Sequence, residues 1–174
     1  MERTLDSKKI YEGKVVRLKL DDVILDDGTK TKREVVIHHG GACIAVRSKD
    51  DKYYMVRQYR YAQGMEMLEF CAGKLEEAED PKDAVIREAN EELGVSVRDV
   101  KEYGFMVPTC GYSSERIYLY SAIEDGQIGQ HLDADERLDI VKFSLEEIEE
   151  MIASGKIVDA KTICLIYHLK KEVR

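Results

Sequence analysis

Residues 73–95, GKLEEAEDPKDAVIREANEELGV, constrain this chain more than any other stretch. Asp80-Pro81 marks a helix start. Asp serves as N-cap, and Pro at the first helical position loses only an N–H that would be unpaired anyway. Val85, Ala89 and Leu93 recur every four residues as one apolar stripe, and Gly94 offers the left-handed stop on which helices end. The same helix carries Glu88, Glu91 and Glu92, which at about 100° per residue share one face. Like charges three and four apart cost an isolated helix roughly 0.2–0.5 kcal/mol per pair. Arg87 answers Glu91 at i+4 but leaves Glu88 and Glu92 uncompensated. Either this face is solvated, or it collects cations.

The flanking sequence is β-like. The spacing predicts strands over 13–20, 22–25, 33–39, 42–47 and 53–60, the last two paired across the polar turn 48–52. Further strands are expected over 100–107, 116–123 and 138–143. Ser144 with Glu147 three later forms a capping box for a helix through about Met151. Asp159 caps a last helix with Ile163, Ile166 and Leu169 on its apolar side. The 174 residues show no linker and no repeat, so residues 1–174 read as a single α/β or α+β domain with a β-rich N-terminal third.

Composition removes several function classes. The chain has 27 basic and 35 acidic residues, a net charge of −8. A general nucleic-acid binder shows the opposite balance. None of the four cysteines forms a Cys-x-x-Cys pair, which argues against a zinc knuckle or redox motif. The charged start lacks the apolar core of a signal peptide, and no apolar run is long enough to span a membrane. The expectation is a cytoplasmic protein with reduced thiols, no membrane and no nucleic-acid partner.

Gly73, Glu79, Arg87, Glu88, Glu91, Glu92 and Gly94 fill the seven fixed positions of a longer pattern, with Val95 as its last aliphatic position. That pattern is similar to the Nudix box. Four flanking segments, Arg33-Glu34-Val35-Val36, Val56-Arg57-Gln58-Tyr59-Arg60, Glu69-Phe70-Cys71-Ala72-Gly73 and Cys110-Gly111-Tyr112-Ser113-Ser114-Glu115, resemble the ADP-ribose pyrophosphatase branch of Nudix hydrolases. The resemblance runs from about Tyr11 to Leu169. It implies an α+β Nudix fold, a mixed β-sheet between helices, preceded by a small antiparallel sheet. It also implies that residues 1–40 form a homodimer and that one subunit's N-terminal region completes its partner's substrate site.

The resemblance further implies roles. Carboxylates on one helix face are hard-oxygen ligands suited to Mg²⁺ or Mn²⁺. Glu88 and Glu92, with the Ala72 carbonyl, would be metal ligands. Glu91 would bind metal or act through water, and Arg87 would hold a box carboxylate. Glu69 either faces the same metals or is a salt-bridged strand end. The general base would come from the acidic loop 124–136, with Glu136 first and Asp133 and Asp135 as competitors, Gly126 and Gly129 allowing motion. Arg33 and Arg60 would bind phosphate, Glu115 would lie near metal or ribose, and Tyr112 near base or ribose. The implied reaction is hydrolysis of ADP-ribose to AMP and ribose 5-phosphate. A different nucleoside-diphosphate sugar, GDP-mannose or UDP-glucose, is the alternative substrate, and a non-catalytic ligand sensor the alternative function. The sequence departs from the branch at Cys71 and Cys110, where proline is usual and φ would be fixed.

Overall fold

A computed structural model describes residues 1–132, 134 and 136–172. The candidate bases Asp133 and Asp135 lie outside the described residues. The chain divides into two units, one of Met1–Gly40 with Val107–Arg116, the other of Gly41–Met106 with Ile117–Arg174.

The first unit is an antiparallel sheet of β1 (Glu2–Glu12), β2 (Arg17–Leu25) and β3 (Lys30–Ile37) in that order. Strand β1 is absent from the sequence-based expectation for a physical reason. All eleven of its residues are exposed, so it has no burial pattern and forms through its ladder to β2, from Glu2↔Leu25 to Glu12↔Arg17. The expected strands 13–20 and 22–25 are one strand that begins at Arg17, residues 13–16 forming the turn from β1. Asp21, which looks like a break, is buried and held by the Ser7 hydroxyl at 2.5 Å and by Lys19 at 2.7 Å. Segment 107–116 joins this unit by main-chain bonds to β3, Val36 N–H to Tyr112 O at 2.8 Å and Ser114 N–H to Val36 O at 2.9 Å.

The second unit is built on β4 (Gly41–Arg47), β5 (Tyr53–Arg60), β6 (Met65–Glu69), β7 (Cys71–Lys74), β8 (Val95–Met106), β9 (Ile117–Gln127) and β10 (Leu138–Phe143). The sheet order is β10-β5-β4-β9-β8, with β6 on β5 and β7 on β4. It is mixed, because β4 and β9 run parallel while the other pairs are antiparallel. Strand β4 is buried on both faces, the condition that produces an unbroken apolar run. Ala42, Ile44 and Val46 pack toward α1 (Pro81–Glu92), with its Ala84, Val85 and Ala89. Cys43 and Ala45 pack toward α2 (Leu145–Ala153) and α3 (Ala160–Glu172), with Ile148, Met151, Leu165 and Leu169. The fold class is therefore α+β, a mixed sheet between helices, as expected.

Strand β8 begins at Val95 rather than at 100, and two further local results differ from the sequence reading. The hairpin of 42–47 and 53–60 closes at Arg47↔Tyr53, but Gly41–Ile44 then pairs with β7. One stretch of chain serves both neighbours. It pairs with β5 from Arg60↔Met65 to Val56↔Glu69, crosses at Phe70, and pairs with β4 from Ile44↔Cys71. The second difference is β9, which runs to Gln127, past the expected end at 123. Glu124 is buried there and accepts from Tyr54 Oη and Gln127 Nε2, each at 2.9 Å.

The helix caps match their sequence signals. The Asp80 side chain accepts from Lys82 N–H at 2.8 Å, and Ser144 and Glu147 form both bonds of the capping box. Asp159 accepts from the N–H and hydroxyl of Thr162 at 3.0 and 2.6 Å. The Thr162 hydroxyl oxygen in turn accepts from the buried Phe70 N–H at 2.9 Å, so the start of α3 holds the strand crossing. Thr162→Val keeps the shape but leaves Phe70 N–H unpaired. Loss of a buried partner costs about 1–3 kcal/mol, and a urea midpoint equal to that of the parent would show that this bond does not hold the crossing.

Candidate active site

Arg87 organises the acidic face of α1. It donates from Nε to Glu79 Oε1 at 3.0 Å and from Nη2 to Glu79 Oε2 at 3.2 Å. From Nη1 it reaches Glu88 Oε1 at 2.8 Å and Glu91 Oε2 at 3.0 Å. One guanidinium thus satisfies three carboxylates, and its hydrogen bonds hold Glu79 below the usual carboxylate range. The expected Arg87–Glu91 pair at i+4 is present. Gly73 makes room for this arrangement, since a Cβ there would meet Glu88 Oε1 at 1.6 Å.

Glu92 is the uncompensated member of the face. It is 4% exposed, and among the described residues its Oε2 has no hydrogen-bond partner. Burial pushes its carboxyl up to about 7; a hydrogen bond from the Cys71 thiol opposes this, and the charges of Glu88 and Glu136 add to it. Glu88 is also raised, by burial first, against Arg87 and with the charges of Glu91 and Glu136. Both carboxyls therefore feel Glu136, so the chain gathers Glu88, Glu91, Glu92 and Glu136 in one electrostatic neighbourhood. Arg60 acts on Glu92 in the opposite sense.

A buried, unpartnered carboxylate among like charges is costly unless a cation joins it. Among the described residues, no three His, Cys, Asp or Glu side chains converge as a ready metal cage, and Arg87 occupies Glu88 and Glu91 instead. The donor set of hard oxygens and the orphaned Glu92 Oε2 fit a divalent cation such as Mg²⁺ or Mn²⁺. Ala72 lies on β7, paired with Cys43.

The segment after β9 is docked on the C-terminal end of α1. Ile128 N–H and Gly129 N–H donate to Gly94 O at 2.8 and 3.1 Å, and His131 N–H to Glu91 O at 2.9 Å. Gln130 Nε2 donates to Glu92 O at 2.8 Å. Gly94 has φ of 65°, and a Cβ there would meet Gln130 N at 2.6 Å. The box glycine therefore both ends the helix and admits this segment.

Glu69 ends β6 and is enclosed. Arg60 donates to its two oxygens, each at 2.7 Å, and Lys161 to Oε2 at 2.5 Å. Burial would raise its carboxyl, but Arg60 and Lys161 together hold it below the usual carboxylate range. Lys161 as a contact of Glu69 and Cys71 as a contact of Glu92 escaped the sequence reading, because neither position signals which element lies beside it.

In the first unit, Arg33 pairs with Glu2, Nε to Oε2 at 3.0 Å and Nη2 to Oε1 at 2.6 Å. Glu115 stands 3.5 Å from His38 Nδ1, which accepts from Gly40 N–H at 3.0 Å. The Tyr112 side chain is exposed.

A family model described as the NUDIX domain matches residues 37–165. The chain is 33% identical over 171 residues to the methanol dehydrogenase activator of Bacillus methanolicus, covering 97% of this chain and 92% of that one. It is 30% identical over 171 residues to the ADP-ribose pyrophosphatase of Bacillus subtilis (strain 168), with the same shares covered. It is 29% identical over 162 residues to the GDP-mannose pyrophosphatase of Cronobacter sakazakii, covering 86% and 84%. A solved structure of an ADP compounds hydrolase superimposes with a TM-score of 0.87 at 16% identity, covering 99% of this chain and 94% of that one, a likeness of fold.

The raised Glu92 carboxyl has a consequence for stability without metal. Its carboxyl goes from 4.5 when unfolded to about 7 when folded. The folded state then binds the extra proton between these values, so this group's contribution is fully present below about 4.5 and is lost as pH rises to about 7. Glu92→Gln stays neutral throughout. In EDTA, the variant's Tm relative to the parent is expected to climb from about pH 5 to about pH 8. A flat difference would rule out a neutral buried carboxyl at this position.

Proposed function

The chain belongs to the Nudix family, and from that premise we propose that it is a metal-dependent hydrolase of nucleoside-diphosphate sugars, with ADP-ribose as substrate and AMP and ribose 5-phosphate as products. The observation that carries this reading is the gathered carboxylate face with its orphaned Glu92 Oε2. The similarity to an ADP-ribose pyrophosphatase over nearly the whole chain supports the substrate.

Glu88, Glu92 and the Ala72 carbonyl, with Glu91 beside them, would hold Mg²⁺ or Mn²⁺. When bound, the cation neutralises the pyrophosphate and makes phosphorus easier to attack. Glu136 takes the proton of the attacking water, the role for which its proximity to Glu88 and Glu92 suits it. Arg60 binds a phosphate oxygen through its fork. Arg87 positions the box carboxylates rather than touching substrate. Glu69, whose oxygens both face cations, is assigned to holding Arg60 rather than to the metal. Arg33, Tyr112 and Glu115 keep the substrate-binding roles that the resemblance implies. A cytoplasmic location accords with the four free cysteines. Among the described residues no helix is long and apolar enough to cross a membrane.

GDP-mannose is the second reading, favoured by similarity to pyrophosphatases that act on it. Incubation with Mg²⁺ and a panel of ADP-ribose, GDP-mannose and UDP-glucose, with products separated by chromatography, decides between them. AMP and ribose 5-phosphate should form fastest. Faster release of GMP or UMP moves the assignment to that sugar nucleotide, and binding without any product leaves a ligand sensor. Glu92→Gln should lose more than the roughly 10–100-fold typical of outer-shell partners, and full turnover by it would refute the metal assignment.

The exposed β1, with Leu5, Ile10 and Tyr11 open to solvent, supports the proposal that residues 1–40 form a homodimer. Light scattering at micromolar concentration should return twice the chain mass; a monomer mass would end that proposal.

A further inference from the structure

Glu69 carries two cations that differ in freedom. Arg60 is the accessible one, with 38% of its side chain exposed. Lys161 is enclosed at 11% and is also tied to Asp159 Oδ1 at 2.9 Å. Asp159 is itself fixed, because its other oxygen caps α3 through Thr162. Lys161 lies in the first turn of α3, where the helix dipole disfavours a cation. Its place there has to be justified by what it touches.

An open cleft of about 570 Å³ is lined by Arg60, Gln63, Met67, Glu69, Asp159 and Lys161, among others. Arg60 gives its Nε–Nη2 edge to Glu69, so to bring that same edge to an anion it must turn from Glu69. Were Arg60 the sole partner, that movement would strand a carboxylate that is 2% exposed, and unpaired buried charges are strongly disfavoured. With Lys161 in place, Glu69 stays neutralised after Arg60 has gone. The reverse exchange is blocked, since Lys161 is closed in and anchored to the helix cap.

We propose that Lys161 is a positioning residue that keeps Glu69 paired while Arg60 transfers from Glu69 to a phosphate oxygen of the substrate. The inference rests on the reading of Arg60 as a phosphate contact. It assigns Lys161 no contact with substrate. Its effect is on how readily Arg60 is released, so it belongs to binding rather than to the chemical step.

Two measurements test it. Titration calorimetry of AMP into the Mg²⁺-loaded protein reads anion binding without turnover, and steady-state kinetics with ADP-ribose separates KM from kcat. Lys161→Met leaves Glu69 with Arg60 alone. It should weaken AMP binding and raise KM about 10-fold or more, with kcat within about threefold. Lys161→Arg restores the cation and should return KM to within about threefold of the parent. A purely structural loss would instead lower the active fraction, and with it kcat and binding stoichiometry, at unchanged KM. Glu69→Gln removes the charge that Lys161 answers, so adding Lys161→Met to that background should leave KM unmoved. This double variant lacks the unpaired buried charge and keeps the test open if Lys161→Met alone does not fold. Parent-like KM and AMP binding in Lys161→Met, or a further KM rise in the double variant, would overturn the inference. Arg60→Met separates the two readings. If it weakens AMP binding while Lys161→Met does not, only the Lys161 inference fails; if it binds AMP like the parent, the Arg60 reading fails first.

Discussion

Phe70 is where one stretch of chain leaves β5 and joins β4, and the active face is arranged around that crossing. The residue before it is Glu69, which holds Arg60. The residues after it are Cys71, whose thiol meets Glu92, Ala72, and Gly73, which makes room for Glu88. A strand that changes partners leaves a main-chain N–H outside both ladders. Thr162 accepts it, and the same threonine is bonded by the cap of α3. The crossing, the helix start and the charged cluster are therefore one connected structure, not three neighbouring ones.

The charge balance follows from this arrangement. The chain carries a net charge of −8, yet the acidic groups around the site are treated unequally. Glu79, Glu88 and Glu91 share Arg87, whereas Glu69 has Arg60 and also Lys161, which it shares with Asp159. Among the described residues Glu92 has the Cys71 thiol and the field of Arg60, and burial raises it. Of these groups, Glu92 alone has no ion-pair partner among the described residues, so the electrostatic deficit falls at that point.

What the sequence disclosed follows the physics of each element. Helix α1, its caps and its acidic face were legible because capping chemistry and the 3.6-residue period are local. Strands β4 and β5 were legible because both have buried faces. Strand β1 was not, because eleven exposed residues have no period to read. Strands β6 and β7 were not, because each is too short to show alternation and their partners are set by the crossing. The end of β9 was misplaced because Glu124 looks like a surface residue, whereas Tyr54 and Gln127 bury it. In the site, the box spacing located Glu88, Glu91, Glu92 and Arg87. The partners of Glu69 and Glu92, by contrast, depend on tertiary packing of Lys161 and Cys71, which no spacing along the chain encodes.

Gly94 carries a consequence for how such a chain can vary. The main chain at 129–130 lies against it closely enough to exclude a single methyl group, and four hydrogen bonds fix residues 128–131 to the carbonyls of Glu91, Glu92 and Gly94. The number of residues between Gln127 and His131 is thus set by the helix it must meet. An insertion or deletion there would shift each bond off its carbonyl.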